Sequence, residues 1–96
     1  MSILHTERDS FAQSVWFTDE SMVVQLDDGR AISVPLTWFP RLLHGTPDER
    51  GEYELIGDGE GIHWPRLDED ISVEGLLAGR RSAESTQSLA KWLAGR

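Results

Sequence analysis

An antiparallel α+β domain is the fold this sequence predicts, on three observations. Short runs of branched and aromatic residues fill the first third of the chain, separated by Asp, Glu and Gly turn residues. Prolines at 35, 40 and 65 sit where strands must stop or helices begin. Two later stretches carry apolar residues at helical spacing. The expected architecture is an antiparallel β-meander plus a second β-hairpin, with short helices after the third strand and at the C-terminus. In domain terms, residues 1–12 read as a poorly ordered start, 13–79 as the α+β domain, and 80–96 as a C-terminal helix appended to it.

Each element has its own warrant. Ser14 to Thr18 (SVWFT) has strand composition, and Asp19-Glu20 supplies a turn. Met22, Val24 and Leu26 then alternate with Val23 and Gln25, which puts one apolar row on one face. Asp28-Gly29 is a hairpin signal, because glycine accepts the positive φ of a type I′ turn. Arg30 to Val34 returns with Ile32 and Val34 on one face. Pro35 ends that strand and Thr37 reads as the N-cap of a short helix with Pro40 in its first turn. Leu36, Phe39 and Leu43 share a face of it, and Gly45, Thr46 and Pro47 stop it. Asp48 to Gly51 reads as a charged turn.

Glu52 to Ile56 and Ile62 to Trp64 make the second hairpin, with Gly57 to Gly61 as its tip and Pro65 as its end. Asp70 or Ser72 is placed to cap a helix carrying Ile71, Val73, Leu76 and Leu77. Ser82 caps a last helix with Leu89, Trp92 and Leu93 on a narrow stripe. The expected core is Trp16, Met22, Val24, Leu26, Ile32, Val34, Phe39, Leu55, Ile62, Trp64, Leu76 and Leu77.

The 96 residues make one domain with 39% hydrophobic and 27% charged residues, an ordinary balance for a globular chain. Lack of cysteine removes disulfides, thiol chemistry and Cys-based zinc sites. No apolar run approaches the roughly 18–20 residues of a membrane span, and no signal-peptide h-region is visible, so a cytoplasmic location is expected. The net charge of −8 is concentrated. Residues 48–74 hold ten acids against Arg50 and Arg66, while the last 22 residues hold only Glu84 against four bases. Such a balance disfavours nucleic acid, which needs a basic stripe, and favours a basic protein partner.

Four features invite a chemical reading. Asp68-Glu69-Asp70 offers three carboxylates, but neighbouring residues splay apart, and Asp68, Asp70, Ser72 and Glu74 lack the glycine bend of a calcium loop. His63 near Asp68 or Asp70 has the elements of a general base, yet no activated serine motif accompanies it. His5 falls in the N-terminal segment and His44 at a helix end, and the three histidines have no metal-ligand spacing. Gly57, Gly59 and Gly61 precede a strand, so they lack the helix N-terminus of a phosphate loop. Of the four tryptophans, Trp16 and Trp64 are assigned to the core, with Trp38 and Trp92 free to form an exposed patch. Arg80, Arg81, Lys91 and Trp92 supply a nucleic-acid alternative.

The order LDDGR, PLTWFPRL, YEL and IHWPRLDEDISVEGLL, over about residues 14–79, resembles the small bacterial family called domain of unknown function 2442. The resemblance implies a compact α+β domain like one that precedes a helix-turn-helix in other proteins. Here the segment after Gly79 is too short for that motif, which puts DNA binding in doubt. The resemblance also implies an antitoxin-like member of a two-gene pair, with the adjacent gene's product as partner, and it supplies no catalytic residues to carry over. No cofactor or metal is expected, and a homodimer is an option. The expected binding face is Asp58, Glu60, Arg66, Asp68 and Glu69. The competing readings are a DNA-associated accessory module and a small enzyme using His63 with Asp68 or Asp70.

Overall fold

A computed structural model describes residues 10–96. The segment expected to be ragged, residues 1–12, lies outside the description for 1–9, as does His5. Six strands form two antiparallel three-stranded sheets, joined by short helical turns. In the first sheet β1 (Ala12–Phe17), β2 (Ser21–Leu26) and β3 (Ala31–Pro35) follow one another as a meander. In the second, β4 (Glu54–Ile56), β5 (Gly61–Trp64) and β6 (Glu69–Ser72) do the same. The α+β class stands, and the expected hairpin carries this third strand.

Strand alternation explains the core of the first sheet. Val24 pairs with Val15 and Ile32, and Met22 with Phe17 and Val34, so branched and aromatic side chains line up on one inner face. Met22, Val24 and Leu26 are fully buried. A β-bulge between Ala12 and Ser14 inserts one residue into β1. It shifts the side-chain parity, so Ala12 and Val15, an odd number apart, both turn inward. Trp16 then faces out with 45% of its surface exposed, contrary to its assignment to the core. Val15 and Phe17 take the inner row, and ring size cannot override parity. Leu55 and Leu77 are likewise exposed, while Leu36, Leu42, Leu67, Ile71 and Val73 fill the core instead.

The β2–β3 connection is a longer turn than the two-residue type I′ loop expected. Leu26 N–H donates to Arg30 O at 2.8 Å, and of the connecting residues only Gly29 takes a positive φ (94°). That matches a three-residue loop ending in a left-handed glycine.

After β3 a 3-10 turn covers Leu36–Trp38, and α1 (Pro40–Leu43) follows. Thr37 is therefore not the cap. Proline favours the first helical position and forces the residue before it out of helical angles, so Phe39 (φ −131°, ψ 87°) becomes the N-cap. Leu42, not Leu43, faces the core. The expected charged turn is a one-turn helix, α2 (Pro47–Gly51), held by a reciprocal capping box. Glu49 N–H donates to Thr46 Oγ1 at 3.1 Å, and Thr46 N–H to Glu49 Oε1 at 2.8 Å.

The two sheets meet around Trp64, which is fully buried and donates its indole N–H to Arg50 O at 3.0 Å. Phe17 meets its ring edge-on, with centroids 6.4 Å apart, and Tyr53 lies at the same distance. Tyr53 also accepts the Val15 N–H at 3.0 Å, satisfying an edge of β1. At the other end of β1, the 3-10 turn Gly57–Gly59 lies against its backbone. A Cβ on Gly59 (φ 106°) would come within 2.4 Å of Ala12 O, so only glycine allows this approach.

Candidate functional site

The segment expected to start a helix begins with a strand instead. Asp68 closes the β5–β6 turn, and Glu69 and Asp70 belong to β6, where Ile71 pairs with Ile62 in the core. The helix α3 (Val73–Leu77) starts later, capped by Ser72, whose Oγ accepts the Gly75 N–H at 2.9 Å. Ser72 was one of the two candidate caps, and Asp70 is not a cap.

This register decides where each carboxylate points. Asp70 lies opposite His63 across the strands, and His63 Nδ1 is hydrogen-bonded to Asp70 Oδ1 at 2.6 Å. Glu54 lies opposite His63 on the other side, giving a Glu54–His63–Asp70 row on the outer face. Asp68 does not join them. It turns to Arg41, whose Nη1 donates to its Oδ2 at 3.3 Å, and it adopts a left-handed φ of 51°. Glu69 lies beside Trp64 on the inner face and is half-buried. Burial, then the nearby Glu84 charge, pushes its carboxyl up to about 7, against the opposing pull of Arg41.

The His63–Asp70 pair can orient an imidazole, but the hydroxyl on the same face, Ser72, is committed to its helix cap. Among the described residues no group of three or more His, Cys, Asp or Glu side chains is gathered to hold a metal ion.

The five residues expected to form one binding face divide into two groups. Asp58 (φ 61°) and Glu60 sit at the β4–β5 tip. Arg66, Asp68 and Glu69 sit at the other end of β5, roughly 13 Å of strand away. Arg66 is ion-paired with Glu52.

Beside the first group lies an open hollow of about 900 Å³. Phe11, Ile56 and Leu77 form its apolar walls, and Glu60 and Glu74 stand among its lining residues. Gly61 lies between Ile56 and Ser72 in the cross-strand row and contributes no side chain, which leaves the space open. Ile56 is 49% exposed and Leu77 44%, so both apolar side chains border the hollow with much of their surface uncovered. The sequence reading missed Phe11, Ile56, Glu74 and Leu77. The alternating glycines at 57, 59 and 61 were the available signal.

Two of the tail's four bases, Arg81 and Arg96, are engaged within the fold. The last helix, α4 (Thr86–Ala94), is capped by Ser85 rather than Ser82. The guanidinium of Arg41 grips Glu84 with bonds of 2.6–2.9 Å, and stands 5.1 Å from the Trp92 ring centroid. Arg96 lies over Trp92 at 4.6 Å and donates to Glu49 at 2.5 Å, holding that carboxyl down at about 2 together with the Thr46 backbone. Arg81 stacks on Trp38 at 4.7 Å. Trp38 and Trp92 are therefore half-buried beneath arginines and do not form an exposed aromatic patch.

The family described as "Protein of unknown function (DUF2442)" matches residues 12–82. The chain belongs to the DUF2442 family. Its match to the family begins with β1 and ends before α4, so the arginine-clamped helix lies outside the matched segment. The DUF2442 chain is similar to a protein of unknown function from Rhodospirillum rubrum, with 27% identity and a TM-score of 0.68 over 79% of this chain and 94% of that one. It is also similar to an uncharacterized protein from Chromobacterium violaceum, with 27% identity and a TM-score of 0.69 over 92% and 81%. No curated protein matches it. No helix among the described residues is long and apolar enough to cross a membrane.

Proposed function

We propose that this DUF2442 domain is a non-catalytic protein-interaction module, the antitoxin-like member of a two-gene pair, which offers an acidic surface to the product of the adjacent gene. The observation that carries the reading is the hollow, where exposed Ile56 and Leu77 lie beside Glu60 and Glu74. Apolar walls supply affinity by leaving water, and unpaired carboxylates select a cationic partner and speed its approach. The excess of acids in residues 48–74 extends that field. Co-expression with the adjacent gene's product, followed by gel filtration at moderate salt, tests it. A complex that high salt weakens is expected, and two folded proteins eluting apart would refute it.

The 2.6 Å His63–Asp70 bond favours a second reading, a small enzyme with His63 as its base. In that case His63→Ala abolishes an activity and leaves the melting temperature unchanged. The interaction reading expects His63→Ala to leave partner binding intact.

A further inference from the structure

We infer that the hollow between the β4–β5 tip and α3 receives a cationic amphipathic segment of a partner chain, whose apolar side chain seats between Ile56 and Leu77 while Lys or Arg reaches Glu60 and Glu74. This rests on the interaction reading and adds the site and the chemistry of its occupant.

Charge complementarity carries the argument. In this half of the chain five carboxylates already have partners, while Asp48, Glu54, Asp58 and Glu69 have no ion-pair partner among the described residues. Glu49 is paired with Arg96, Glu52 with Arg66, Asp68 and Glu84 with Arg41, and Asp70 is bonded to His63. Among the described residues neither Glu60 nor Glu74 has an ion-pair partner. Several of the described arginines are committed in the same way, though Arg80 is exposed with no side-chain partner among the described residues. Arg30 pairs with Asp28, Arg50 donates to the Leu42 and Leu43 carbonyls, and Arg81 lies over Trp38. Among the described residues no Lys, Arg or His lines the hollow. Among the described residues no cation is paired with these two carboxylates, which leaves them open to one supplied by another molecule.

The backbone segments that carry the two acids are also tied together. Val73 N–H donates to Glu60 O at 2.9 Å, so the residue before Glu74 is tied to the backbone of Glu60. Both acids thus spring from adjacent, fixed backbone, and the apolar walls flank them. A bare cation would leave Ile56 and Leu77 wet, and a purely apolar segment would desolvate the carboxylates without pairing them. A segment with both features satisfies both halves.

The test uses the full chain, isotope-labelled, and three short peptides: leucine with lysine, leucine with glutamate, and serine with lysine. Only the leucine–lysine peptide is expected to shift the amides of Gly57, Gly61 and Leu77. Leu77→Asp, and the double change Glu60→Gln with Glu74→Gln, should each weaken binding by about tenfold or more. The remote pair Asp19→Asn with Asp48→Asn, of equal charge change, should leave it within about twofold, since screened charges at a distance contribute little.

Equal binding of the serine–lysine peptide, or equal weakening by the remote pair, would overturn the hollow as the site. The same holds if no peptide binds. A co-purifying partner would survive any of these results, so the interaction reading and the site fail separately. Two other occupants would also overturn the inference. Movement of the Gly57 and Gly61 amides on Ile3→Asp with Leu4→Asp, without peptide, would assign the hollow to the chain's own first residues. Concentration-dependent movement of the same amides would assign it to a second copy.

Discussion

Replacing Glu69 with glutamine should stabilise the protein, and only above mildly acidic pH. Glu69 was expected on an open binding face, but it lies half-buried beside Trp64 and near Glu84, with its carboxyl raised from 4.5 to about 7. Between those two values the folded protein keeps a proton that the unfolded chain has released. Stability therefore falls as the pH rises through that window and levels off above it. Were the group fully buried, such a rise would correspond to roughly 3 kcal/mol. Glu69 keeps part of its surface in water, and solvent screening reduces this to about 1–2 kcal/mol. Glu69→Gln removes the charge at nearly constant volume, so its advantage should be about 1–2 kcal/mol at pH 8, or roughly 5–15 °C in Tm. Near pH 4.5 the two proteins should agree within about 0.5 kcal/mol, because the carboxyl is then protonated when folded. Below that, stability falls again as Glu49, held at about 2, and the likewise lowered Asp28 and Glu84 are protonated. Urea unfolding of both proteins at pH 4.5, 6 and 8 measures the difference. The same gap at all three pH values, or a less stable Glu69→Gln protein at pH 8, would refute the account of the inner face.

Three further substitutions test how the fold is assembled. Trp64→Ala opens a cavity where the sheets meet and leaves Arg50 O without its donor, for a loss of about 3–5 kcal/mol, whereas Trp16→Ala on the outer face should cost less than about 1 kcal/mol. Thermal melts compare them. Gly59→Ala forces a methyl group toward Ala12 O in a left-handed backbone, so it should cost about 2 kcal/mol and speed hydrogen exchange along the start of β1. Arg41→Ala strips Glu84 of its bidentate partner and Trp92 of one stacked guanidinium. It should cost about 1.5–3 kcal/mol and release α4, seen as rapid amide exchange over 86–94, with Arg41→Lys recovering only part of the protection.

The readable parts of this fold were those with strong local period or punctuation. The β2 alternation, the Asp28-Gly29 turn, the stop at Pro65 and the Ser72 cap all follow from neighbours in sequence. Long-range geometry set what was missed. Trp16 faces water because a bulge three residues earlier fixes which β1 residues pair with Val24 and Met22. Asp68-Glu69-Asp70 looked like the start of a helix because acids favour that end. The pairing of Ile71 with Ile62 makes a four-residue strand of that stretch, too short to show a period. The acidic region was visible as composition, but its pairing was not. Arg41 meets Glu84 across 43 residues and Arg96 meets Glu49 across 47, and those clamps decide which carboxylates remain open. The apolar half of the hollow escaped notice because Ile56 and Leu77 fit core patterns equally well.

The central claim is that the surface around Glu60 and Glu74 meets a partner protein. Hydrogen exchange of the full chain, alone and with the co-purified product of the adjacent gene, tests this most directly. Slower exchange at Gly57, Gly61 and Leu77, with β2 unchanged, is the predicted result. Protection confined to α4 or to the first sheet, or an unchanged pattern in a complex that does form, would contradict it.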